Sequence, residues 1–172
     1  MAMKTSAGLL MYKIRKTSSL TSVNEENREL LVFLVHPGGP FWQHKDNVWG
    51  IPKGERDNPD DDFFDVAKRE FCEETSINLP KNARFISLGS IKQANGKIVY
   101  AWAFENNENF KFECKSFVEM EGMRFCEVDK GEFFTLKEAK EKILASQFEL
   151  IERLRKELNI KNISDKQIKL GF

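Results

Sequence analysis

The spacing of apolar and polar positions predicts the elements of this chain. "SAGLLMYKIR" (6–15) and "RELLVFLVHP" (28–37) are rich in β-branched and large apolar side chains, as strands are. The polar run "KTSSLTSVNEEN" between them reads as a hairpin loop, and "GGPFWQHKDN" as a Gly/Pro turn region holding two aromatics. A short strand "VWGIPKG", a loop "ERDNPDD" and a helix over about 62–75 follow. Pro59 and the Asp run suit the start of that helix, where carboxylates meet the positive end of the dipole. "ARFISLGSIKQANGKIVYAWAFE" predicts two strands about an Asn95–Gly96 turn, a strong hairpin signal. Residues 105–126 read as a charged, aromatic-rich connection. "GEFFTLKEAKEKI" predicts a strand end and a helix start. A C-terminal helix over about 147–159 carries Phe148, Ile151, Leu154 and Leu158 on one stripe, and the tail 160–172 has no assigned element. The sum is α+β, with helices packed on a mixed sheet.

Composition narrows the function. A chain of 172 residues is expected to form one domain with a substantial core. Lys plus Arg equals Asp plus Glu at 27 each, so no net field draws the protein to a membrane or to extended nucleic acid. Recognition of an anion must be local. No stretch approaches the roughly 18 apolar residues of a membrane span, and the N-terminus alternates like a strand rather than a signal peptide. Cys72, Cys114 and Cys126 are widely spaced, odd in number and without a metal pattern, so reduced thiols in a cytoplasmic protein are expected.

The chemistry concentrates in "RDNPDDDFFDVAKREFCEET". On a helical wheel Glu70, Glu73 and Glu74 share an arc with the apolar stripe instead of opposing it, while Lys68, Cys72 and Asp65 take the other side. A merely solvated face predicts the reverse. The three acids also repel at i, i+3 and i+4, and they sit in the last turns, where the macrodipole disfavours negative charge. A hard divalent cation offsets both costs, so the cluster is a candidate metal site. An EF-hand is excluded: the loop's Gly is missing, and its twelfth position counted from Asp57 is Lys68.

These residues resemble the signature of the Nudix hydrolases: Gly, five residues, Glu, seven residues, then Arg-Glu-aliphatic-x-Glu-Glu-x-Gly-aliphatic. Gly54 leads, Asp61 stands for the loop acid, and Arg69-Glu70-Phe71-Cys72-Glu73-Glu74-Thr75-Ser76-Ile77 closes a box over about 54–77. "SAGLLMYK", "LVHPGGPFW", "WGIPKGE" and "EVDKGEFFTLKEA" extend the likeness to a bacterial branch of predicted nucleotide pyrophosphohydrolases, over about residues 5–158. Three departures stand out. One residue is inserted before the loop acid, Asp replaces its Glu (with Asp60 and Asp62 as rivals to Asp61), and Ser76 replaces the second Gly.

The resemblance implies an α/β/α sandwich and Mg²⁺- or Mn²⁺-dependent hydrolysis of a nucleoside diphosphate linked to another moiety, a dinucleoside polyphosphate first. By motif position Glu70 and Glu74 ligate metal, Glu73 is a further ligand or base, the Lys53 carbonyl adds a ligand, and Arg69 orients the loop acid. Glu127, six residues before Phe133, matches the spacing of a downstream metal-binding or basic Glu. Lys53 and Arg56 are candidates for phosphate, and Trp42, with Phe41 and Trp49, for stacking a nucleobase, core packing being the other reading of each aromatic. The expected partner is a small nucleotide; oligomeric state is left open. The alternative is a catalytically silent module of the same fold that binds a nucleotide or a partner protein.

Overall fold

The computed structural model describes residues 4–17 and 27–160. Among the described residues eight strands and three helices run in the order β1 (Thr5–Thr17), β2 (Asn27–Pro37), β3 (Lys53–Glu55), α1 (Phe63–Thr75), β4 (Phe85–Lys92), β5 (Ile98–Glu105), β6 (Phe117–Met120), β7 (Met123–Cys126), β8 (Val128–Thr135), α2 (Leu136–Lys142) and α3 (Phe148–Glu157). A 3₁₀ turn, Ala145–Gln147, joins the last two helices. The polar 18–26 stretch, read as a hairpin loop, lies outside the described residues, as does the tail beyond 160.

The main sheet runs β4-β5-β1-β2-β8, with β3 also paired to β1. Among the strand pairs of the described residues only β1–β5 is parallel. The long central strand β1 divides one edge between two partners: its second half pairs with β2 and its first half, at Ser6–Gly8, with β3. Gly8 is required there, because a Cβ would stand 2.4 Å from the Pro52 carbonyl oxygen. "VWGIPKG" therefore gives a shorter strand than its sequence predicts, with Gly50 and Trp49 held by isolated bridges to Val35 and Ile143.

Both faces of the sheet are covered, which explains the unbroken apolar run "LLVFLV" in β2. Leu30, Val32 and Leu34 pack towards α2 and α3 with Leu150, Ile151 and Leu154. Phe33 and Val35 point the other way, with Leu9 and Met11, onto Val66, Ala67 and Phe71 of α1. The result is the expected α/β/α sandwich. The 95–96 hairpin, the α2 start and the C-terminal helix fall where the sequence predicts them.

The connection over 105–126 is the main departure. It contains the separate β6–β7 hairpin, turning at Glu121–Gly122, where both residues have positive φ (53° and 75°). Cys114 and Cys126 are joined in a disulfide, with Cα atoms 5.9 Å apart. The expectation of three reduced thiols is thus corrected: the hairpin brings within bonding distance two cysteines that sequence spacing keeps apart. Only Cys72 is free.

Candidate active site

Helix α1 begins at Asp62, whose side chain accepts the Phe64 and Asp65 N–H groups at 2.9 and 3.1 Å. It ends at Ser76, which adopts the left-handed conformation itself (φ 59°), its N–H donating to the Cys72 carbonyl. The missing Gly costs on the order of 1 kcal/mol there without moving the helix stop.

Within that helix the three acids divide. Glu74 is buried and its Oε2 accepts the Lys53 N–H at 2.9 Å, tying α1 to β3. Glu70, one turn earlier, lies on Gly54 so closely that a Cβ there would stand 2.0 Å from its Oε2. The box's leading Gly is therefore a packing requirement for the Glu70 carboxylate. Glu73 faces outward, its side chain 59% exposed and 4.0 Å from Arg69 Nε. The arc drawn by the wheel resolves into two acids turned in and one at the rim.

Arg69 locks the loop before the helix. Its Nη2 donates to Glu70 Oε1 at 2.7 Å and to the Glu55 carbonyl at 3.1 Å, and Nη1 pairs with Asp57. The loop acid is thus Asp57, not Asp61, Asp60 or Asp62. Asp61 instead accepts the Asn58 N–H, and Asp62 is spent on the helix cap. The inserted residue changes how the loop folds, and an acid three positions after Gly54 reaches the arginine.

Burial dominates the electrostatics. It pushes the Glu74 carboxyl up to about 8, against the opposing charge of Lys53 and with the aid of Glu127 and Glu70. Burial also raises Glu70, against Arg69 and with the aid of Glu73 and Glu127. Lys53 is driven down by burial despite the attraction of Glu74, Glu127 and Glu70. Glu127, 53 residues after Glu74 in sequence, is therefore within charge range of both inward acids. It lies just before β8, with Oε2 accepting from Ser116 Oγ at 2.6 Å.

A divalent cation is what the family resemblance implies here. The donors are all oxygens, four carboxylates and the Lys53 carbonyl, the chemistry a hard cation takes, and the repulsion between the inward acids Glu70 and Glu74 is what such an ion relieves. Among the described residues no three His, Cys, Asp or Glu side chains converge to hold an ion. Glu70 is engaged by Arg69 and Glu127 by Ser116, while Glu73 is turned outward. The donor set fits; the side chains are held by protein partners.

Of the candidates for substrate contact, Arg56 is pinned in the loop, with Nη1 on the Pro59 carbonyl and the guanidinium 4.3 Å over Phe63. Lys53 is half-buried beside Glu74. Trp42 and Phe41 are 40% and 59% exposed, whereas Trp49 is core, edge-on to His36 and Phe134. The loop bearing Trp42 is fastened to the Glu127 segment. Gly38 N–H donates to the Glu127 carbonyl at 2.9 Å, and Gly39 packs on the Phe125 ring. His36, buried, bridges the Lys45 carbonyl and Asp129, each at 2.8 Å. Asp57, Ser116 and the His36–Asp129 pair were not singled out by the sequence; the "FVEMEGMRFC" arms about a Glu-Gly turn were the available signal for the hairpin.

A family model described as the NUDIX domain matches residues 14–154. The fold is similar to the NUDIX domain of Shewanella oneidensis NrtR, solved with ADP ribose, at TM-score 0.61 and 17% identity, over 92% of this chain and 90% of that one. It is also similar to a C. elegans Ap4A hydrolase in a binary complex (TM-score 0.58, 19% identity, 90% and 98% covered). A MutT/nudix family protein of Enterococcus faecalis gives TM-score 0.60 at 15% identity, over 94% of this chain and 64% of that one. Among curated proteins none matches the chain significantly. With the family match spanning most of its length and the box residues gathered on α1 and β3, the chain belongs to the Nudix hydrolase family.

Proposed function

We propose that the protein is a divalent-metal-dependent pyrophosphohydrolase acting on a nucleoside diphosphate linked to another moiety, with dinucleoside polyphosphates favoured. One observation carries this reading: α1 turns Glu70 and Glu74 onto β3, and Glu127, from the segment before β8, lies near enough for its charge to help raise both. The C. elegans Ap4A hydrolase and the NrtR domain solved with ADP ribose have a similar fold, and Ap4A and ADP ribose both belong to that chemical class.

Glu70, Glu73, Glu74, Glu127 and the Lys53 carbonyl are the residues that would hold Mg²⁺ or Mn²⁺, which when bound neutralises phosphate charge and acidifies water. The chain's own work is positional. Arg69 fixes Glu70 and the 55–57 loop together. Glu73 at the rim and Glu127 on the facing side are the two carboxylates disposed to take a proton from the attacking water. Lys53 and Arg56 meet phosphate oxygens, Arg56 after exchanging its contact with the Pro59 carbonyl. Trp42 offers a face on which a nucleobase stacks.

The alternative, a silent nucleotide- or partner-binding module, draws support from the protein hydrogen bonds that occupy Glu70 and Glu127. A panel of dinucleoside polyphosphates, nucleotide sugars and nucleoside triphosphates with Mg²⁺ or Mn²⁺, products resolved by chromatography, separates the two. Turnover of the dinucleoside polyphosphates above the other classes supports the proposal. Binding of any of them without turnover supports the alternative.

A further inference from the structure

We propose that Ser116 and the Cys114–Cys126 disulfide are positioning residues for Glu127, which makes the enzyme's rate depend on the oxidation state of that cysteine pair. This rests on the assignment of Glu127 to the active site.

The geometry is a two-point contact braced by a covalent link. Ser116 Oγ donates to Glu127 Oε2 at 2.6 Å, and the Glu127 N–H donates back to the Ser116 carbonyl at 2.9 Å. Cys126 directly precedes Glu127 and Cys114 stands two residues before Ser116, so the disulfide joins the two segments where that contact is made. Behind them the Gly38 N–H holds the Glu127 carbonyl, and a Cβ on Gly38 would stand 2.0 Å from the Cys126 carbonyl oxygen.

No residue of the β6–β7 hairpin is fully buried. The β6–β7 pair forms its own two-stranded sheet, separate from the main one, with Phe117, Met120 and Met123 exposed. An isolated two-stranded hairpin is marginal in water, so the cross-link adds to the contacts at Gly38 and Gly39 in holding it. Cys114 and Cys126 are half-buried. Ser116 lines an open cleft of about 650 Å³ between the end of α1, at Glu73, and the hairpin, at Lys115 and Arg124.

A dithiol such as dithiothreitol cleaves the one S–S bond. Two electrons and two protons pass to the sulfurs, Cys114 and Cys126 become thiols, and the reagent becomes its cyclic disulfide. Released from each other, the two segments lose their fixed spacing, and Glu127 loses its orientation while keeping its chemistry.

The test uses the full chain with diadenosine tetraphosphate and Mg²⁺, with amide hydrogen exchange of the segment around Glu127 as a readout independent of turnover. Reduction of the wild type, and Ser116→Ala without reduction, are each expected to lower kcat at least fivefold with KM changed less than twofold. Ser116→Thr, which keeps the hydroxyl, is expected to retain kcat within twofold. Exchange at the Glu127 amide is expected to quicken at least tenfold on reduction. Cys72→Ser should respond to dithiothreitol as the wild type does, and the Cys114→Ser/Cys126→Ser double variant should not respond. If Glu127→Gln is slow but Ser116→Ala and the reduced enzyme match oxidised wild type, with exchange unchanged, the positioning proposal is overturned and the role of Glu127 stands. If Glu127→Gln itself turns over like wild type, the assignment of Glu127 falls and this proposal with it.

Discussion

Replacing Gly54 with Ala tests the packing of the site at its tightest point. The new Cβ would stand 2.0 Å from Glu70 Oε2 and 2.1 Å from its Cδ, where ordinary contact begins near 3.4 Å. Either the carboxylate or β3 must retreat by more than an ångström. The Arg69–Glu70 hydrogen bond of 2.7 Å then breaks or drags the 55–57 loop with it. Misplacing a reacting group by about 1 Å costs on the order of 100-fold in rate, or about 2.7 kcal/mol of barrier. Overpacking adds about 1–3 kcal/mol of lost stability, which thermal melting reads separately. Steady-state hydrolysis of diadenosine tetraphosphate with Mg²⁺ should show kcat down about 100-fold in a protein that still melts cooperatively. Gly96→Ala is the control: Gly96, unlike Gly54, has positive φ (84°), but nothing lies within 4 Å of a Cβ there. It should lose about 1 kcal/mol of stability and no activity. A folded Gly54→Ala enzyme with kcat within twofold of wild type would refute the placement of Glu70 in the reaction.

Three other outcomes follow from the site. Glu74 is held near 8 by burial, above its ordinary 4.5, so the fold favours its protonated form. Its stabilising share is complete below about pH 4.5 and is lost as pH rises through 8. The metal-free protein should accordingly melt lower at pH 8 than at pH 5, and Glu74→Gln should remove most of that decline; an unchanged slope in the variant would count against it. Asp57→Asn should lower kcat severalfold by loosening Arg69, with Asp61→Asn closer to wild type, since Asp61 accepts only a backbone N–H in its own turn. Equal kinetics for the two would show that Arg69 needs no partner in the loop. Hydrolysis in ¹⁸O-water should place label in a phosphate product, whereas label in a sugar hydroxyl would mean attack at carbon.

Much of this architecture is legible in the sequence because each element announces itself locally. The β2 run "LLVFLV" reads as a strand buried on both faces, Asn95–Gly96 supplies its own turn, and the Asp run before Phe63 caps its helix. Long-range events are less legible. Asp57 and Asp61 are equivalent as letters, and only the path of the loop decides which one meets Arg69. The wheel puts Glu70, Glu73 and Glu74 on one arc, but β3 covers only part of it, so Glu73 is left outside. Cys114 and Cys126 look unrelated until the Glu121–Gly122 turn folds one onto the other. The same closure pairs Ser116 with Glu127, and β8 sets Asp129 against His36. Asp129 is for that reason a poor neutral comparison for Glu127, and Glu132 serves better.

Whether the carboxylates of α1 run a metal-dependent hydrolysis is read from a metal titration of variants. Diadenosine tetraphosphate hydrolysis is followed across a range of Mg²⁺ and Mn²⁺ for wild type, Glu73→Gln, Glu74→Gln and Glu132→Gln, with a chelator as the zero point. No turnover is expected in chelator, with saturable activation of wild type and Glu132→Gln, and loss of most turnover in Glu73→Gln and Glu74→Gln at every metal concentration. Wild-type turnover that persists in chelator, or Glu73→Gln and Glu74→Gln enzymes that match wild type at saturating metal, would contradict it.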